Sequence, residues 1–449
     1  MMESDHVYPA MSSLLKKKTG FLGMWKTVLC TYIEGVLTIY NGTSERSDKK
    51  EIRIDSSVVI SYTPDGTSRK FTIQLPNEEP ILLTSEDSEL TIAWIQALRA
   101  ETYTEPTGLS MKNFNIIATI GRGFFGKVLL VSLTTTNELF AVKIVKKKYL
   151  ADNGKTQTIL AERNILFKAN NDLIVKMKFA FQNSTKFYLG MEYVPGGDLF
   201  HILDQYTTLK LEAARLYIAE IAIALDYLHS IGVVYRDLKP ENVLLDKEGH
   251  VKLCDFGLSK ELIFNAETTT FCGTTEYIAP EIIQQKPYSY PVDWWALGIL
   301  TYEILFGDTP FVNPNQRVTM TSIISSPPRI PKCPDFVSDF ILKLLIKDPA
   351  KRATLNDLKG HPFWGELDFE MVKQKKYTPF FIPPEGPNPY CNFDQEFTEE
   401  PATDSPATPL SLGSQTGEVT GFSFTSSDIQ NIPDLPPSSI LTLEPIPLD

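Results

Sequence analysis

Tyr235-Arg236-Asp237-Leu238-Lys239-Pro240-Glu241-Asn242 is followed by Asp255-Phe256-Gly257 and, further on, by Ala279-Pro280-Glu281. Well upstream, Gly121-Arg122-Gly123-Phe124-Phe125-Gly126-Lys127-Val128 follows an apolar strand. Glycines in such a turn let backbone N–H groups approach phosphates without obstruction by a Cβ. Taken alone, the turn is equally a glycine-rich hairpin or a dinucleotide-binding unit. A dinucleotide unit requires a helix next, whereas here a second strand follows and then a third carrying Ala141-Val142-Lys143. A lysine in an apolar strand is ordinarily an edge residue pointing to solvent. Joined to the downstream runs, it is instead placed to hold phosphates with its ammonium.

In this order and spacing the runs resemble the signature of eukaryotic protein kinases, so residues 114–364 are expected to form the two-lobed α+β kinase fold. The resemblance implies phosphoryl transfer from ATP with Mg²⁺. In those roles Asp237 orients a substrate hydroxyl and accepts its proton, and Lys239 neutralises charge on the transferred group. Asn242 and Asp255 supply the hard oxygen ligands that Mg²⁺ requires. Lys143 holds the α- and β-phosphates while paired with a helix carboxylate, assigned by position to Glu162. The nucleotide is expected against Gly121, Gly123, Phe125, Gly126, Val128, Lys143, Glu192 and Val194. Glu281 and Arg352 look like the family's buried ion pair, and Lys239 marks serine/threonine rather than tyrosine specificity.

Tyr235 in place of His, the run Thr270-Phe271-Cys272-Gly273-Thr274-Thr275-Glu276-Tyr277, and Asp293-Trp294-Trp295 resemble the AGC group. Asn392-Phe393-Asp394-Gln395-Glu396-Phe397-Thr398 is similar to the segment that crosses the nucleotide pocket there, which adds Phe393 and Phe397 to the cofactor contacts. Val419-Thr420-Gly421-Phe422-Ser423-Phe424 resembles that group's hydrophobic motif. The resemblance implies phosphosites at Thr270, Ser405 and Ser423, upstream activating kinases for Thr270 and Ser423, and a phosphate pocket made by Arg236 and Lys260. Asp198, Glu241 and Glu303 match positions where related kinases hold arginines, so protein substrates basic N-terminal to the acceptor are expected. Three features depart from the group: Thr275 stands where Pro is expected, Thr158 replaces a His, and residues 170–174 lack His-Pro-Phe. The complete catalytic set weighs for an enzyme against a pseudokinase or a membrane-recruited scaffold.

Between Leu14 and Leu83 the pattern is short and alternating, as in Phe71-Thr72-Ile73-Gln74-Leu75, with turn signals at Asn41-Gly42 and Asp65-Gly66. After Ser85 an acidic first turn, Glu86, Asp87 and Glu89, leads to Leu90, Trp94, Ala97 and Leu98 on one helical face. An all-β barrel with a closing helix fits residues 8–103 and resembles a pleckstrin-homology domain; residues 104–113 read as a linker. Such a domain ahead of an AGC kinase is the layout of the protein kinase B (Akt) family. Lys17 and Lys26 occupy two of the expected lipid-headgroup positions, and Val28 stands where another cation is expected. Weak binding to phosphoinositides or anionic membranes is implied; the competing reading is a solvated basic turn on a protein-binding domain.

Beyond Phe114, strands are expected to about Met191, interrupted by one helix over Thr158 to Lys168. The stripe Ala214, Tyr217, Ile218, Ile221, Leu225 and Leu228 then predicts a helical lobe. Beyond Trp364 lie 13 of the 31 prolines and a charge of −11 within a whole-chain net of −12. A tail of that composition cannot form its own core. Residues 365–430 are therefore expected to be a largely irregular AGC-type segment, disordered or laid over another domain, with 431–449 disordered. The overall acidity argues against nucleic acid as a partner. The five cysteines lack CxxC spacing, so neither a disulfide framework nor a zinc site is indicated. No apolar run reaches the roughly 18 residues of a membrane span and Met1 to Met11 lack a secretory stretch, so a cytosolic or nuclear protein is expected; the pleckstrin-homology resemblance adds recruitment of a cytoplasmic protein to the plasma membrane.

Overall fold

The computed structural model describes residues 11–98 apart from 20–23, 34, 55–57, 63–69, 77, 88–89, 92 and 96; residues 108–404 apart from 124–125 and 263–266; and residues 422–426 with 429. The alternating N-terminal segments form β1 (Met11–Thr19), β2 (Met24–Ile33), β3 (Val36–Tyr40), β4 (Lys49–Arg53), β5 (Val59–Tyr62), β6 (Lys70–Gln74) and β7 (Ile81–Thr84). They make one antiparallel sheet in the order β4-β3-β2-β1-β7-β6-β5. Side chains from the edge strands and the centre share a single core, so the sheet is curled round it as a barrel. Helix α1, residues 90–98, closes that core with Trp94, Ile95 and Leu98. Trp94 is fully buried, and its Nε1 donates to Ser13 Oγ at 2.8 Å, so the ring buries its apolar face without stranding its polar atom. The Asn41-Gly42 signal falls in the loop between β3 and β4; Asp65-Gly66 lies outside the described residues.

The small lobe of the second unit is built on β8 (Phe114–Gly123), β9 (Gly126–Leu133), β10 (Leu139–Lys146), β11 (Met177–Gln182) and β12 (Lys186–Glu192). Between β10 and β11 the chain forms two helices rather than the expected one: α2 (Lys147–Asp152) and α3 (Thr156–Lys168). The first is six residues long, with no side-chain cap at Lys146, so it leaves little signal in sequence. Packing holds it instead: Leu150 is buried, and the Lys147 stem is buried with its Nζ donating to Gln182 Oε1 at 2.7 Å.

The large lobe is helical. α4 (Leu199–Tyr206) is followed by α5 (Leu211–Ser230), which buries the expected stripe from Ala214 to Leu228. The short strands β13 (Val233–Val234), β14 (Val243–Leu245), β15 (Val251–Leu253) and β16 (Lys260–Glu261) carry the loops between them. After the single turn of α6 (Pro280–Ile283) comes α7 (Pro291–Phe306), apolar on nearly every face and buried along most of its length, as a central helix must be.

Of the two fates open to the acidic tail, the structure shows the second over its described part. Lys375 Nζ meets Asp246 Oδ2 at 2.7 Å, and Asn392 Nδ2 donates to the carbonyl of Pro195 at 3.0 Å. Gly197 has φ +74°, and a Cβ there would overlap the Asn392 carbonyl oxygen, so only glycine admits the tail at this point. Asp404 then reaches the small lobe, where Lys186 Nζ pairs with it and Tyr188 Oη donates to it at 2.9 Å. Finally β17 (Phe424–Thr425) adds to the sheet beside β11, giving the order β17-β11-β12-β10-β9-β8. Among the described residues no helix is long and apolar enough to cross a membrane.

Candidate active site

Strand β10 carries Lys143 into the space between the lobes, where it is 5% exposed. Its Nζ donates to Glu162 Oε1 of α3 at 2.6 Å and to Asp255 Oδ1 at 2.8 Å. Burial alone would discharge the ammonium; Asp255 and Glu162 outweigh it and hold the pKa above its ordinary value. Asp255, half-exposed, is held below the usual carboxylate range by Lys143 against the opposing effect of desolvation. One cation therefore ties α3 to the Asp255-Phe256-Gly257 segment, and its position depends on both carboxylates.

The Tyr235–Asn242 loop sits opposite. Asn242 Nδ2 donates to the Asp237 carbonyl at 2.7 Å and to Asp237 Oδ2 at 2.8 Å. With both amide hydrogens so engaged, the remaining side-chain atom of Asn242 is an oxygen acceptor. An amide oxygen here and a carboxylate at Asp255 are a donor set suited to Mg²⁺, which takes oxygen ligands and fills the rest of its shell with phosphates and water. Burial lifts Asp237 to about 6, against the pull of Lys239 and Asn242. Lys239 Nζ lies 3.7 Å from Asp237 Oδ2 and 3.3 Å from Thr274 Oγ1.

Two residues that flank this chemistry are strained: Arg236 has φ +69° and Asp255 φ +50°. Left-handed backbone at non-glycine residues costs about 1–3 kcal/mol each and persists only where the surroundings over-determine it. Asp293, fully buried on α7, supplies that constraint for the catalytic loop. Its Oδ2 accepts from Tyr235 N and its Oδ1 from Arg236 N, both at 2.8 Å, and His229 Nε2 lies 2.8 Å from Oδ2. In sequence Asp293 marked only a resemblance; its anchoring role is visible through the fold. Arg352 and Glu281 make the expected buried pair, bidentate at 2.6 and 2.9 Å.

On the nucleotide side, Gly121 and Val128 are cross-strand partners in the β8–β9 hairpin that also carries Gly123 and Gly126. Gly126 has a further reason to be glycine: a Cβ would overlap the Ile144 carbonyl oxygen of β10. Val194 is buried just beyond β12, and the Glu192 carboxylate is taken by Lys252 Nζ at 2.8 Å and Lys176 N at 2.9 Å. The tail places Phe393 against Tyr193, ring centroids 6.1 Å apart, in the apolar cluster that includes Ala118, Ala141 and Val128. Phe397 sits half-buried on α8 (Gln395–Thr398), which packs on β8. Phe125 lies outside the described residues.

The three acidic residues expected to meet substrate lie near one another. Burial and then Glu241 raise the Glu303 carboxyl to about 7, and burial with a smaller push from Glu241 raises Asp198 to about 6. Glu303 accepts from Tyr277 Oη. Asp198 also caps α4, accepting from His201 N at 2.9 Å, a structural task absent from the sequence reading. Thr275 Oγ1 is bonded by Gln316 Nε2 at 2.5 Å.

Thr270 is exposed, and Arg236 and Lys260 lie around it. Tyr288 Oη donates to the Thr270 carbonyl at 2.7 Å and accepts from Arg236 Nη1 at 3.1 Å; Lys260 Nζ donates to Thr268 Oγ1 at 3.0 Å. Partial desolvation and the nearby Arg236 push the Lys260 pKa down. Sequence reasoning missed Tyr288. Beyond the activation segment, Phe422 is 1% exposed against Phe187, ring centroids 4.5 Å apart, and Phe424 meets Phe167 of α3 at 4.8 Å. Ser423 lies half-buried between them, while Ser405 is outside the described residues.

In the N-terminal domain Lys17 and Lys26 are direct cross-strand partners. Val28 is no vacancy in a surface cluster: it pairs with Leu15, and both are 1% exposed in the barrel core. A cation at 28 would be buried there.

Comparison with known sequences agrees with this geometry. Residues 114–364 match the family described as Protein kinase domain, residues 9–103 that described as PH domain, and residues 390–435 that described as Protein kinase C terminal domain. Serine/threonine-protein kinase Sgk1 of Homo sapiens is 42% identical over 301 residues, 65% of this chain and 70% of that protein. Serine/threonine protein kinase ypkA of Aspergillus fumigatus is 40% identical over 305 residues, 66% of this chain and 48% of its own length. For Ribosomal protein S6 kinase 2 alpha of Gallus gallus the figures are 39% over 327 residues, 70% and 43%. The chain thus spans about half the length of the last two relatives.

Proposed function

Since the chain belongs to the protein kinase family, and within it to the AGC type with an N-terminal PH domain, we propose that it transfers the γ-phosphate of ATP to serine or threonine in proteins. The observation that carries this reading is the double contact of Lys143 with Glu162 and Asp255 across from Asp237 and Asn242. The family uses ATP with Mg²⁺, and the ion, held by Asn242 and Asp255, would offset charge on the phosphates.

Lys143, kept in place by Glu162, holds the α- and β-phosphates. The hairpin with Gly121, Gly123, Phe125, Gly126 and Val128 covers them, and Glu192, Val194, Phe393 and Phe397 enclose the base. Asp237 orients the substrate hydroxyl and takes its proton on the carboxylate, while Lys239 offsets charge on the group in transit. Asp198, Glu241 and Glu303 draw a substrate that is basic N-terminal to its acceptor. Upstream kinases phosphorylate Thr270, whose phosphate Arg236 and Lys260 receive, and Ser423, whose phosphate strengthens docking of Phe422 and Phe424. Ser405 is a third phosphosite. Units at 8–103, 114–364 and 365–430 divide the labour. The first attaches the cytoplasmic enzyme weakly to phosphoinositide or anionic membranes through Lys17 and Lys26.

Phosphorylation of a peptide array by the purified chain tests this, with Asp255→Ala as the control. Transfer to basic serine or threonine peptides, lost in Asp255→Ala, is expected; acidic or proline-directed selectivity would overturn the substrate assignment.

A further inference from the structure

The register of the small-lobe sheet sorts its side chains onto two faces. Gly121 of β8, Val128 of β9, Lys143 of β10 and Leu189 of β12 stand directly opposite one another, and this row faces the cleft. Alternate residues of a strand point to opposite faces. The next row, Arg122, Lys127, Ile144 and Tyr188, therefore lies on the back of the sheet. Further along the same strands, Lys146 and Lys186 are opposed to each other on that back face. Four cations thus stand behind the strands whose front carries the glycine hairpin and Lys143.

Carboxylates of the acidic tail meet them. Arg122 Nη2 lies 3.1 Å from Glu400 Oε2, an exposed pair that contributes little alone. The contact at Asp404 is of another kind. Lys186 is 4% exposed and its ammonium pairs with Asp404 Oδ1, while Asp404 Oδ2 accepts from the Tyr188 hydroxyl at 2.9 Å. Asn183 Nδ2 already donates to that hydroxyl at 3.0 Å, so its own hydrogen is left for Asp404. One carboxylate therefore satisfies a buried ammonium and a buried hydroxyl, and losing its charge would strand the ammonium. Lys127 is within reach of both acids: partial desolvation pushes its pKa below the ordinary value, while Asp404 and Glu400 pull it back up.

The tail segment that brings Phe393 beside Tyr193 and Phe397 onto β8 is fixed before these rings by Asn392 at Pro195, and after them by Asp404. A strap of that composition has no core of its own to hold it between the two points.

We propose that Asp404 is a positioning residue for the nucleotide: its carboxylate, assisted by Glu400, fastens the tail to the back of the small-lobe sheet, so that the Phe393–Phe397 strap and the glycine hairpin stay closed on ATP without a phosphate on the tail. This rests on the reading of the cleft as an ATP site and adds a residue to it. Asp404 acts through Lys186, Tyr188 and the strap. Phosphate on the neighbouring Ser405 is then not what creates the attachment.

Titration of the full chain with a fluorescent ATP analogue and Mg²⁺, beside steady-state kinetics, tests this role. Asp404→Asn keeps the shape and an acceptor oxygen but removes the charge. It should weaken nucleotide binding and raise the KM for ATP about five- to tenfold, with kcat at saturating ATP within about twofold of the unaltered chain. Asp404→Glu restores the charge and should bring binding back to within about threefold. Glu400→Gln, at the exposed pair, should cost less than about twofold, and Ser405→Ala should leave binding unchanged; thermal melts confirm that the variants are folded. Nucleotide binding in Asp404→Asn equal to that of the unaltered chain would overturn the role and leave the ATP site standing. So would an equal loss in Ser405→Ala, which would make a phosphate the fastening, or a fall in kcat as large as the rise in KM. No nucleotide binding by the unaltered chain would overturn both the role and the ATP site.

Discussion

The cleft between the kinase lobes and the Lys17–Lys26 rung of the N-terminal barrel both concentrate charge, and they treat it in opposite ways. In the cleft the charged groups are tied to particular partners: Lys143 to two carboxylates within 2.8 Å, Asp237 to the Asn242 amide at 2.8 Å, and the loop itself to Asp293. Removing one partner there leaves another charge desolvated, which costs several kcal/mol. At the barrel end the lysines stand in solvent, where a lost charge is screened and replaceable. Catalysis therefore depends on the identity of single residues.

The largest consequence is at Asp293. Asp293→Ala strands the N–H groups of Tyr235 and Arg236 and releases a strained loop, so kcat should fall by about 10²-fold or more and stability by about 2–4 kcal/mol. Lys18→Ala at the barrel should move stability by less than about 0.5 kcal/mol. Steady-state kinetics and thermal melts of the two variants side by side would erase the comparison if their losses were alike.

A smaller effect is expected where the tail meets the small lobe. Phe422→Ala removes a ring buried between Phe187 and α3, and the attachment of β17 should weaken. Activity after treatment with activating kinases should drop about tenfold, and Thr270→Ala should fall at least as far. Full activity in Phe422→Ala would mean that the docked tail does not support α3, and full activity in Thr270→Ala would remove the phosphate pocket from the account.

Smaller still is the pH response of the peptide site. Glu303 is raised to about 7 and Asp198 to about 6, so as pH falls the Glu303 carboxylate takes a proton first and its pull on a basic peptide is lost. The KM for a basic peptide should rise a few-fold as pH falls through about 7, before kcat declines near 6 with protonation of Asp237. Glu303→Gln should abolish the upper step in a KM–pH profile; an unchanged profile would place that titration elsewhere.

What could be read from sequence follows the same division. Lys143, Asp237, Asn242 and Asp255 stand out in sequence through their resemblance to the kinase signature, and the fold brings them to one cleft. Alternation likewise revealed the barrel strands, and an apolar helical face revealed the closing Trp94. Four features were not legible, the first three because they depend on partners elsewhere in the chain. Val28 looked like a missing surface cation until its pairing with Leu15 showed an inward face. Gly197 is glycine because the chain returns to it almost two hundred residues later at Asn392. Asp293 has no local signature for holding Tyr235 and Arg236, and α2 is too short and uncapped for periodicity to show it.

The most direct test of the cleft is the kinetics of Asp237→Asn, measured as kcat with a basic serine peptide and as KM for ATP. The carboxylate acts on the hydroxyl and not on the nucleotide, so kcat should fall about 10²–10⁴-fold while the KM for ATP stays within about threefold. Equal turnover by the two proteins would contradict the assignment of Asp237 as the base.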